Sequence, residues 1–288
     1  MAASYEDRFW TSSDGLNLHY RNYAGPEGGT RLPVLCLHGL TRNARDFGPL
    51  AEALAATRRV IVPSMRGRGQ SDYAKDSDTY SPVTYVADVE KLLAEQGIER
   101  WVAIGTSMGG LMTMLMAAMK PGRLAAVVMN DIGPEVDPSG VARISGYVGQ
   151  GRSYPTWVHA ARGLAEAHAA AFPDYDLDQW LDLAKRTMVV SQNGRIVFDY
   201  DMAIAEPFAK PGNAAPPNLW LAYEALRGVP MLLVRGELSD LLGPDTVKQM
   251  KARNPAMTTV TVPRVGHAPT LDEPEVRAAI LALLDGAE

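Results

Sequence analysis

Strand-like and helix-like segments alternate along most of the chain, and this alternation is the feature that most restricts its fold. Short apolar runs, typical of strands buried on both faces, occupy 32–37, 59–63, 101–105, 124–130, 229–235 and 258–262. Helical periodicity occupies 44–56, 82–96, 109–119, a segment from 244 and a last segment from 274. Near the N-terminus, Asp14-Gly15 between two strand-like runs predicts a β-hairpin. The whole pattern predicts a mostly parallel sheet with helices on both faces.

The alternation stops between Pro134 and Arg227, which predicts an insertion into the α/β core. This region is rich in alanine and aromatic residues, and it has helical periodicity near 157–171 and 177–190. Within it, Pro211–Pro217 is predicted to be an ordered loop or a hinge. The predicted organisation is therefore a first core part at 1–133, an insertion at 134–227 and a second core part at 228–288.

The composition is that of an ordinary globular protein. Of the 288 residues, 47% are hydrophobic, so the chain can bury a core and is not disordered. The net charge of −5, without a run of basic residues, argues against nucleic acid as a partner. The opening residues lack the features of a signal peptide, and the most apolar stretch, Met108–Met119, is too short to span a bilayer. We therefore expect a cytoplasmic protein without membrane contact.

The cysteine and histidine content restricts the covalent and metal chemistry. The single cysteine, Cys36, excludes an internal disulfide framework and a cysteine-based zinc site. No pair of histidines has the helical spacing of a metal-binding motif. The sequence therefore predicts neither a metal nor a cofactor.

The motif that carries chemistry is Gly105-Thr106-Ser107-Met108-Gly109, a G-x-S-x-G pattern. It lies between a strand-like and a helix-like run, which is the position of a nucleophile elbow. Such a sharp turn strains the backbone of the serine and needs small residues two positions before and after it, which the two glycines supply. The alternatives are an ordinary glycine-rich turn or a phosphate-binding turn. The context favours Ser107 as a nucleophile at the positive end of the following helix.

A serine hydroxyl needs a general base, and the sequence contains five histidines. His267 follows the last predicted strand, at the sheet edge that also carries the elbow, so it is the predicted base. The alternative is a histidine on a surface loop. His159 and His168 lie in the insertion and His19 in the hairpin, whereas His38 ends a strand and is predicted to anchor a loop.

The base in turn needs a carboxylate that fixes its tautomer and stabilises the imidazolium. Asp240 follows the predicted strand at 229–235, and the stretch from it to the histidine is long enough for one helix and one strand. It is therefore the preferred acid. Asp131, at the end of the strand after the elbow helix, and Glu237 remain as alternatives.

Acyl transfer also needs hydrogen-bond donors for the tetrahedral oxyanion. The backbone N–H of Met108, directly after the nucleophile, is one expected donor, and the loop after the first buried strand should supply the other. Because Gly39 lets that loop turn freely, the N–H of Leu40 is the second expected donor. Arg42, Asn43 and Asp46 on the same loop either line the site or cap the next helix.

With these residues placed, the chain resembles the α/β-hydrolase superfamily over nearly its whole length. The similar segments, in the family's order, are LCLHGLTRN, MRGRGQSD, GTSMGG, LLVRGELSDLLGP and VPRVGHAPTLDEP. The resemblance implies an eight-stranded, mostly parallel sheet with a helical lid, and the insertion at 134–227 falls where that lid belongs. It also implies Ser107 as nucleophile, His267 as base, Asp240 as acid, and Leu40 and Met108 as oxyanion donors.

The resemblance implies a small-molecule substrate but leaves its chemistry open. The serine at the elbow excludes the branches of the family that use a carboxylate nucleophile. Hydrolysis of a carboxylic ester or lactone is preferred, through an acyl-enzyme on Ser107. The alternative is a C–C bond hydrolase or enol-lactonase of aromatic-compound breakdown, which is disfavoured because Ala268, and not tryptophan, follows the histidine. A ligand-binding receptor on the same fold is a further alternative, and a homodimer through the lid or the last helix stays open.

Aromatic side chains of the insertion are the candidates for choosing the substrate, since a pocket lined by them would suit a hydrophobic group. The alternative is that they form the core of the lid. The candidates are Tyr147, Trp157, Trp180, Phe198, Tyr200 and Trp220.

Overall fold

The computed structural model describes residues 5–210 and 218–287, so the loop or hinge expected at Pro211–Pro217 lies outside the described residues. The chain begins with strands β1 (Glu6–Thr11) and β2 (Asn17–Tyr23). These two strands pair in antiparallel fashion around the turn that contains Asp14 and Gly15. Gly15 adopts a φ of 89°, a backbone conformation that side chains rarely allow. The turn therefore has the chemistry that predicted the hairpin.

The first core part continues as alternating strands and helices. Its strands are β3 (Val34–Leu37), β4 (Val60–Pro63), β5 (Trp101–Thr106) and β6 (Leu124–Asn130). Its helices are α1 (Gly48–Leu54), preceded by a 3₁₀ turn at Ala44–Phe47, α2 (Pro82–Glu95) and α3 (Met108–Met119). Helix α2 starts where the sequence predicts, because Pro82 fits the first turn and the Ser81 side chain accepts a hydrogen bond from the Thr84 N–H.

The region between β6 and the second core part combines helices with short strands. Its helices are α4 (Pro138–Tyr147), α5 (Trp157–His168), α6 (Leu177–Thr187), α7 (Glu206–Ala209) and α8 (Trp220–Glu224). Its strands are β7 (Ser153–Tyr154), β8 (Met188–Val190) and β9 (Ile196–Phe198), which form a separate antiparallel sheet in the order β7-β9-β8. The second core part consists of β10 (Met231–Gly236), α9 (Pro244–Arg253), β11 (Met257–Val262) and α10 (Pro274–Asp285).

The three-stranded sheet of the insertion is a difference from the sequence prediction, which extended a helix to residue 190. Helix α6 ends at Thr187, and the chain continues directly into β8. Asn193 and Gly194, with a φ of 77° at the glycine, then turn the chain into β9. Asn-Gly between apolar runs is a strong hairpin signal, so the sequence contained the information that the helical interpretation of this segment overlooked.

Within residues 5–210 and 218–287, the main sheet has eight strands in the order β1-β2-β4-β3-β5-β6-β10-β11. Strands β4, β3, β5, β6, β10 and β11 run parallel, and β2 pairs in antiparallel fashion with both of its neighbours, β1 and β4. This is the predicted eight-stranded, mostly parallel sheet. In a parallel sheet the carboxyl ends of the strands meet at one edge, so the turns after β3, β5, β6, β10 and β11 come together there.

Both faces of the main sheet are covered. Apolar side chains of α2 and α3 form one buried cluster with the sheet, and those of α1 and α10 form the other. A third cluster holds α5 and α6 together within the insertion. Helix α8 packs on α3, and its Tyr223 hydroxyl donates to the Met250 carbonyl at 3.0 Å, so this helix belongs to the covering of the sheet. No helix in the described ranges is long and apolar enough to cross a membrane.

Candidate active site

Ser107 lies at the sharp turn between β5 and α3. Its backbone adopts φ 52° and ψ −115°, a conformation that non-glycine residues rarely adopt and that persists only where the surroundings enforce it. The enforcing contacts are close. A Cβ on Gly105 would lie 2.6 Å from backbone atoms of Gly109, and a Cβ on Gly109 would lie 1.9 Å from the Leu37 carbonyl oxygen. The two glycines of the motif therefore allow α3 to sit against β3 and β5.

His267 lies within hydrogen-bond distance of the serine and of a carboxylate. Its Nε2 is 2.9 Å from Ser107 Oγ, and its Nδ1 is 2.7 Å from Asp131 Oδ2. Because an ionised carboxylate can only accept, Nδ1 carries the proton and Nε2 is left as the acceptor for the serine hydroxyl. This is the tautomer that a general base for Ser107 requires.

Asp131 is held in place by three donors. Its Oδ1 accepts from the Gly236 N–H at 2.9 Å, and its Oδ2 accepts from Ser239 Oγ at 2.6 Å as well as from His267. The side chain is fully buried, and the backbone has a φ of 53°. A buried carboxylate is tolerated only when its oxygens are hydrogen-bonded, and these donors meet that need.

The preference for Asp240 as the acid was wrong, since the structure places Asp131 against His267. Asp240 points to the insertion and binds the Arg143 guanidinium at 2.5 and 2.8 Å. That pairing lowers the pKa of the Asp240 carboxyl. The other alternative, Glu237, accepts from the Arg264 N–H at 2.8 Å. Strands β6 and β10 are neighbours, so the carboxylates that follow them compete for one histidine, and sequence spacing alone does not rank them.

The turn after β3 packs directly on the elbow. A Cβ on Gly39 would lie 3.7 Å from the Cβ of Ser107, which is ordinary van der Waals contact. No hydrogen bond within the described residues uses the backbone N–H of Leu40 or of Met108. Both N–H groups therefore stay candidates for the oxyanion donors.

His38 fixes the orientation of this turn. Its Nε2 accepts from the Met65 N–H at 3.0 Å, so its Nδ1 carries the proton and donates to the Gly39 carbonyl at 2.7 Å. The carbonyl of Gly39 and the N–H of Leu40 belong to one trans peptide group and point in opposite directions. Holding the carbonyl therefore directs the Leu40 N–H. Burial lowers the pKa of His38 to about 3, so the ring stays neutral. This agrees with the predicted loop-anchoring role.

Two adjoining cavities lie beside the nucleophile. The first, which we call the nucleophile cleft, has a volume of about 60 Å³ and is lined by residues that include Leu40, Ser107 and His267. The second, which we call the arginine cavity, has a volume of about 90 Å³ and is lined mainly by the insertion. Arg42, Tyr147 and His267 line both. Spaces of this size suit short substituents better than long chains.

Only part of the aromatic set predicted to choose the substrate lines these cavities. Tyr147, Phe198 and Tyr200 do. Trp157, Trp180 and Trp220 are not among the described residues that line them, which favours the alternative that these side chains form the core of the lid. Their surroundings explain the difference: the side chains of Trp157 and Trp180 pack into the core of the insertion, and Trp220 packs on Tyr223 and under Arg253.

The structure separates the roles that the sequence left open for the loop after β3, and it adds lining residues from the insertion. On the loop after β3, Arg42 lines both cavities and Asp46 lines the cleft, whereas Asn43 caps the next turn by accepting from the Arg45 N–H. The insertion adds residues that the aromatic search passed over, namely Arg143, Arg152, Tyr154, His168 and Phe172. Sequence offers little signal for them, because helical periodicity does not show which polar face meets the cavity. In the described part of the chain, no group of three or more acidic, histidine or cysteine side chains is arranged to hold a metal.

Comparison with known proteins identifies the family of this fold. The family model for the alpha/beta hydrolase fold matches residues 33–274, which is most of the chain. The chain belongs to the alpha/beta hydrolase family. The resemblance and the fold predicted from the sequence are thus confirmed, and the protein is a hydrolase of this fold. An alpha/beta hydrolase from Novosphingobium aromaticivorans, known from a crystal structure, is 59% identical, with a TM-score of 0.94 and 99% of each chain covered.

Two relatives of this chain carry more specific names. A 3-hydroxybutyrate-oligomer hydrolase from Cupriavidus necator is 37% identical over 266 residues, which cover 88% of this chain and 88% of that protein. An esterase from Mycobacterium tuberculosis is 25% identical over 262 residues, which cover 88% of this chain and 83% of that protein.

Proposed function

We propose that this alpha/beta hydrolase cleaves carboxylic esters or lactones of small substrates through an acyl-enzyme on Ser107. The observation that carries the proposal is the continuous hydrogen-bonded chain from Ser107 Oγ through His267 to Asp131, with spacings of 2.9 and 2.7 Å. The names of the relatives support ester cleavage, since one is an esterase and another hydrolyses oligomers of a hydroxy acid.

The proposed reaction has two steps. Ser107 attacks the carbonyl carbon while His267 Nε2 takes its proton, and the N–H groups of Leu40 and Met108 stabilise the oxyanion. The imidazolium, stabilised by Asp131, then protonates the leaving alcohol. In the second step His267 activates a water that hydrolyses the acyl-enzyme, and Ser107 regains its proton.

We further propose that the insertion acts as a lid that selects the substrate. In support, α4, α5 and β9 contribute side chains to the arginine cavity, and that cavity shares residues with the nucleophile cleft. The small volumes of both favour short acyl or alcohol groups over long chains.

The test is steady-state hydrolysis of p-nitrophenyl esters from acetyl to decanoyl by wild type and Ser107→Ala. We expect turnover with an optimum at short chains and a loss on the order of 10⁴-fold or more in the variant. The matched control is Ser13→Ala, which removes an exposed hydroxyl from the hairpin turn. Near-normal turnover by Ser107→Ala would refute the proposal. Labelling of Ser107 by a fluorophosphonate without ester turnover would overturn the esterase, and Ser107-dependent hydrolysis of lactones would then be measured.

A further inference from the structure

Three arginines line the arginine cavity. Arg42 comes from the turn after β3, Arg143 from α4 and Arg152 from the segment between α4 and α5, and His168 of α5 joins them. Among the described residues, none of those that line the cavity is an aspartate or a glutamate. A small cavity with three guanidinium groups and no carboxylate on its wall has the electrostatics of an anion site.

The ion pairs around the cavity do not neutralise it. Arg42 donates to Asp46 at 3.2 Å, and Arg143 donates to Asp240 through two of its N–H groups. Arg152 donates to the neutral Gln150 amide oxygen at 3.3 Å, and no carboxylate of the described residues pairs with it. One positive charge is therefore left over, and each guanidinium, which has five N–H groups, keeps donors free for a further acceptor.

The pKa of His168 agrees with a positive electrostatic potential in the arginine cavity. Burial lowers its pKa to about 4, and the three arginines of the cavity act in the same direction. The ring packs edge-on against Tyr147, with centroids 5.3 Å apart. At neutral pH the imidazole is uncharged, so it offers an N–H donor to an anion without adding to the repulsion among the arginines.

The cavity continues into the nucleophile cleft. Arg42, Tyr147 and His267 line both spaces, so a ligand whose ester carbonyl lies at Ser107 reaches the arginines with its other end. Because both spaces are small, at about 60 and 90 Å³, they favour a short connection between the two ends of such a ligand. Arginine is the side chain best suited to hold a carboxylate, because its planar fork donates two parallel hydrogen bonds.

Resting on the proposed ester hydrolase function, we propose that the arginine cavity binds a carboxylate carried by the substrate. The preferred substrates are then short esters with a free carboxylate a few carbon atoms from the scissile bond. The carboxylate belongs either to the acyl part or to the alcohol part, and the two cases are separable by experiment.

The experiment compares each acidic ester with its neutral primary amide, which has nearly the same shape. Ethyl hydrogen succinate against ethyl succinamate tests a carboxylate on the acyl part. Potassium 4-acetoxybutanoate against 4-acetoxybutanamide tests one on the alcohol part. We expect kcat/KM for the acid to exceed that for the amide by at least about tenfold in one of the two pairs, the effect of one charge-assisted hydrogen bond.

Variants of single arginines show which side chain is responsible for the preference for the acid over the amide. The variant Arg152→Gln removes the cavity arginine that has no carboxylate partner among the described residues. The measured quantity is the ratio of kcat/KM for the acid to kcat/KM for the amide. We expect that ratio to fall about tenfold, with Arg152→Lys intermediate. Arg162→Gln is the matched control, because Arg162 is an exposed arginine on α5 that does not line the cavity. This control should leave the ratio as in wild type.

The outcomes separate this inference from the proposed function. Ser107-dependent hydrolysis of p-nitrophenyl acetate with acid and amide cleaved equally well would overturn the carboxylate site and keep the esterase. Absence of any Ser107-dependent turnover would overturn the esterase itself. If neither pair is cleaved, the carboxylate site is tested by comparing how strongly succinate and succinamide inhibit the hydrolysis of p-nitrophenyl acetate. Stronger inhibition by succinate that Arg152→Gln abolishes supports the site, and equal inhibition overturns it.

Discussion

At the scale of single residues, the proposed proton transfer from Ser107 to His267 depends on which carboxylate holds the histidine. Asp131 is fully buried and accepts from Gly236, Ser239 and His267, whereas Asp240 is partly exposed and holds Arg143. A carboxylate that orients a catalytic imidazole has to keep one geometry through the reaction, and the three donors around Asp131 give it that geometry.

The two carboxylates can be distinguished by mutation. We expect Asp131→Asn to lower kcat on the order of 10⁴-fold, because an amide in that place favours the wrong histidine tautomer. Asp240→Asn leaves the pair of Ser107 and His267 intact, and we expect it to lower kcat for p-nitrophenyl acetate by less than about tenfold. Steady-state kinetics with both variants, checked for folding by circular dichroism, measures this. A larger loss in Asp240→Asn than in Asp131→Asn would contradict the assignment.

At the scale of elements, the strand–turn–helix from β5 to α3 is the part of the molecule with the least freedom. The strained φ of Ser107 is kept because α3 packs against β3 with glycine at the point of contact. The turn after β3 is anchored in a comparable way, since His38 joins the Gly39 carbonyl to the backbone that follows β4. Rigid elements thus position the reacting groups, and loops supply the rest of the cleft.

The contact between α3 and β3 predicts a strong stability effect. Gly109→Ala would place a methyl group 1.9 Å from the Leu37 carbonyl oxygen, and a backbone atom in the middle of the sheet cannot move aside. We expect the free energy of unfolding to fall by about 3 kcal/mol or more.

The control for this prediction is a glycine with open space around it. At Gly146, in α4, no described atom outside its chain neighbours and the backbone of its own helix lies within 4 Å of the position that an alanine methyl group would take, and the φ is not positive. Gly146→Ala should leave the free energy of unfolding unchanged or raise it by about 0.4–1 kcal/mol. Urea denaturation of both variants is the measurement. Equal stability of the two would show that α3 does not sit where the structure has it.

At the scale of the whole molecule, buried neutral histidines link folding to pH. Burial lowers the pKa of His38 to about 3 and that of His168 to about 4, whereas an unfolded histidine has its ordinary pKa of about 6.5. Between these values the unfolded chain binds more protons than the folded chain, so stability falls as the pH falls below about 6.5.

Between pH 7 and pH 5, we expect His38 alone to lower the free energy of unfolding by about 2 kcal/mol, with a similar contribution of the same sign from His168. The interval stays above the ordinary pKa of carboxyl groups, which limits their part in the change. Urea denaturation at several pH values measures the slope for wild type and for His38→Gln. The slope should be shallower in the variant, and equal slopes would contradict a buried neutral His38.

The sequence by itself determined the class of fold, the hairpin, the start of α2 and the turn that presents Ser107. These features depend on residues close together in the chain, such as Asp14-Gly15, Ser81-Pro82 and the glycines of the elbow, so local sterics and hydrogen bonding express them directly. The position of His267 after the last strand followed from the same alternation of elements. The Asn193-Gly194 turn could also be predicted from the sequence. The segment before it was nevertheless assigned to a helix, although the local hairpin signal was present.

Only the tertiary structure decided which carboxylate meets His267 and which side chains line the cavities. The order of strands places β6 beside β10, so Asp131 and Asp240 arrive at the same edge, and packing turns one to the histidine and the other to Arg143. Likewise the packing of α5, α6 and α8 buries or diverts the tryptophans while it leaves arginines facing the cavity. Contacts between segments distant in the chain carry no local signal, because they depend on how complete elements pack.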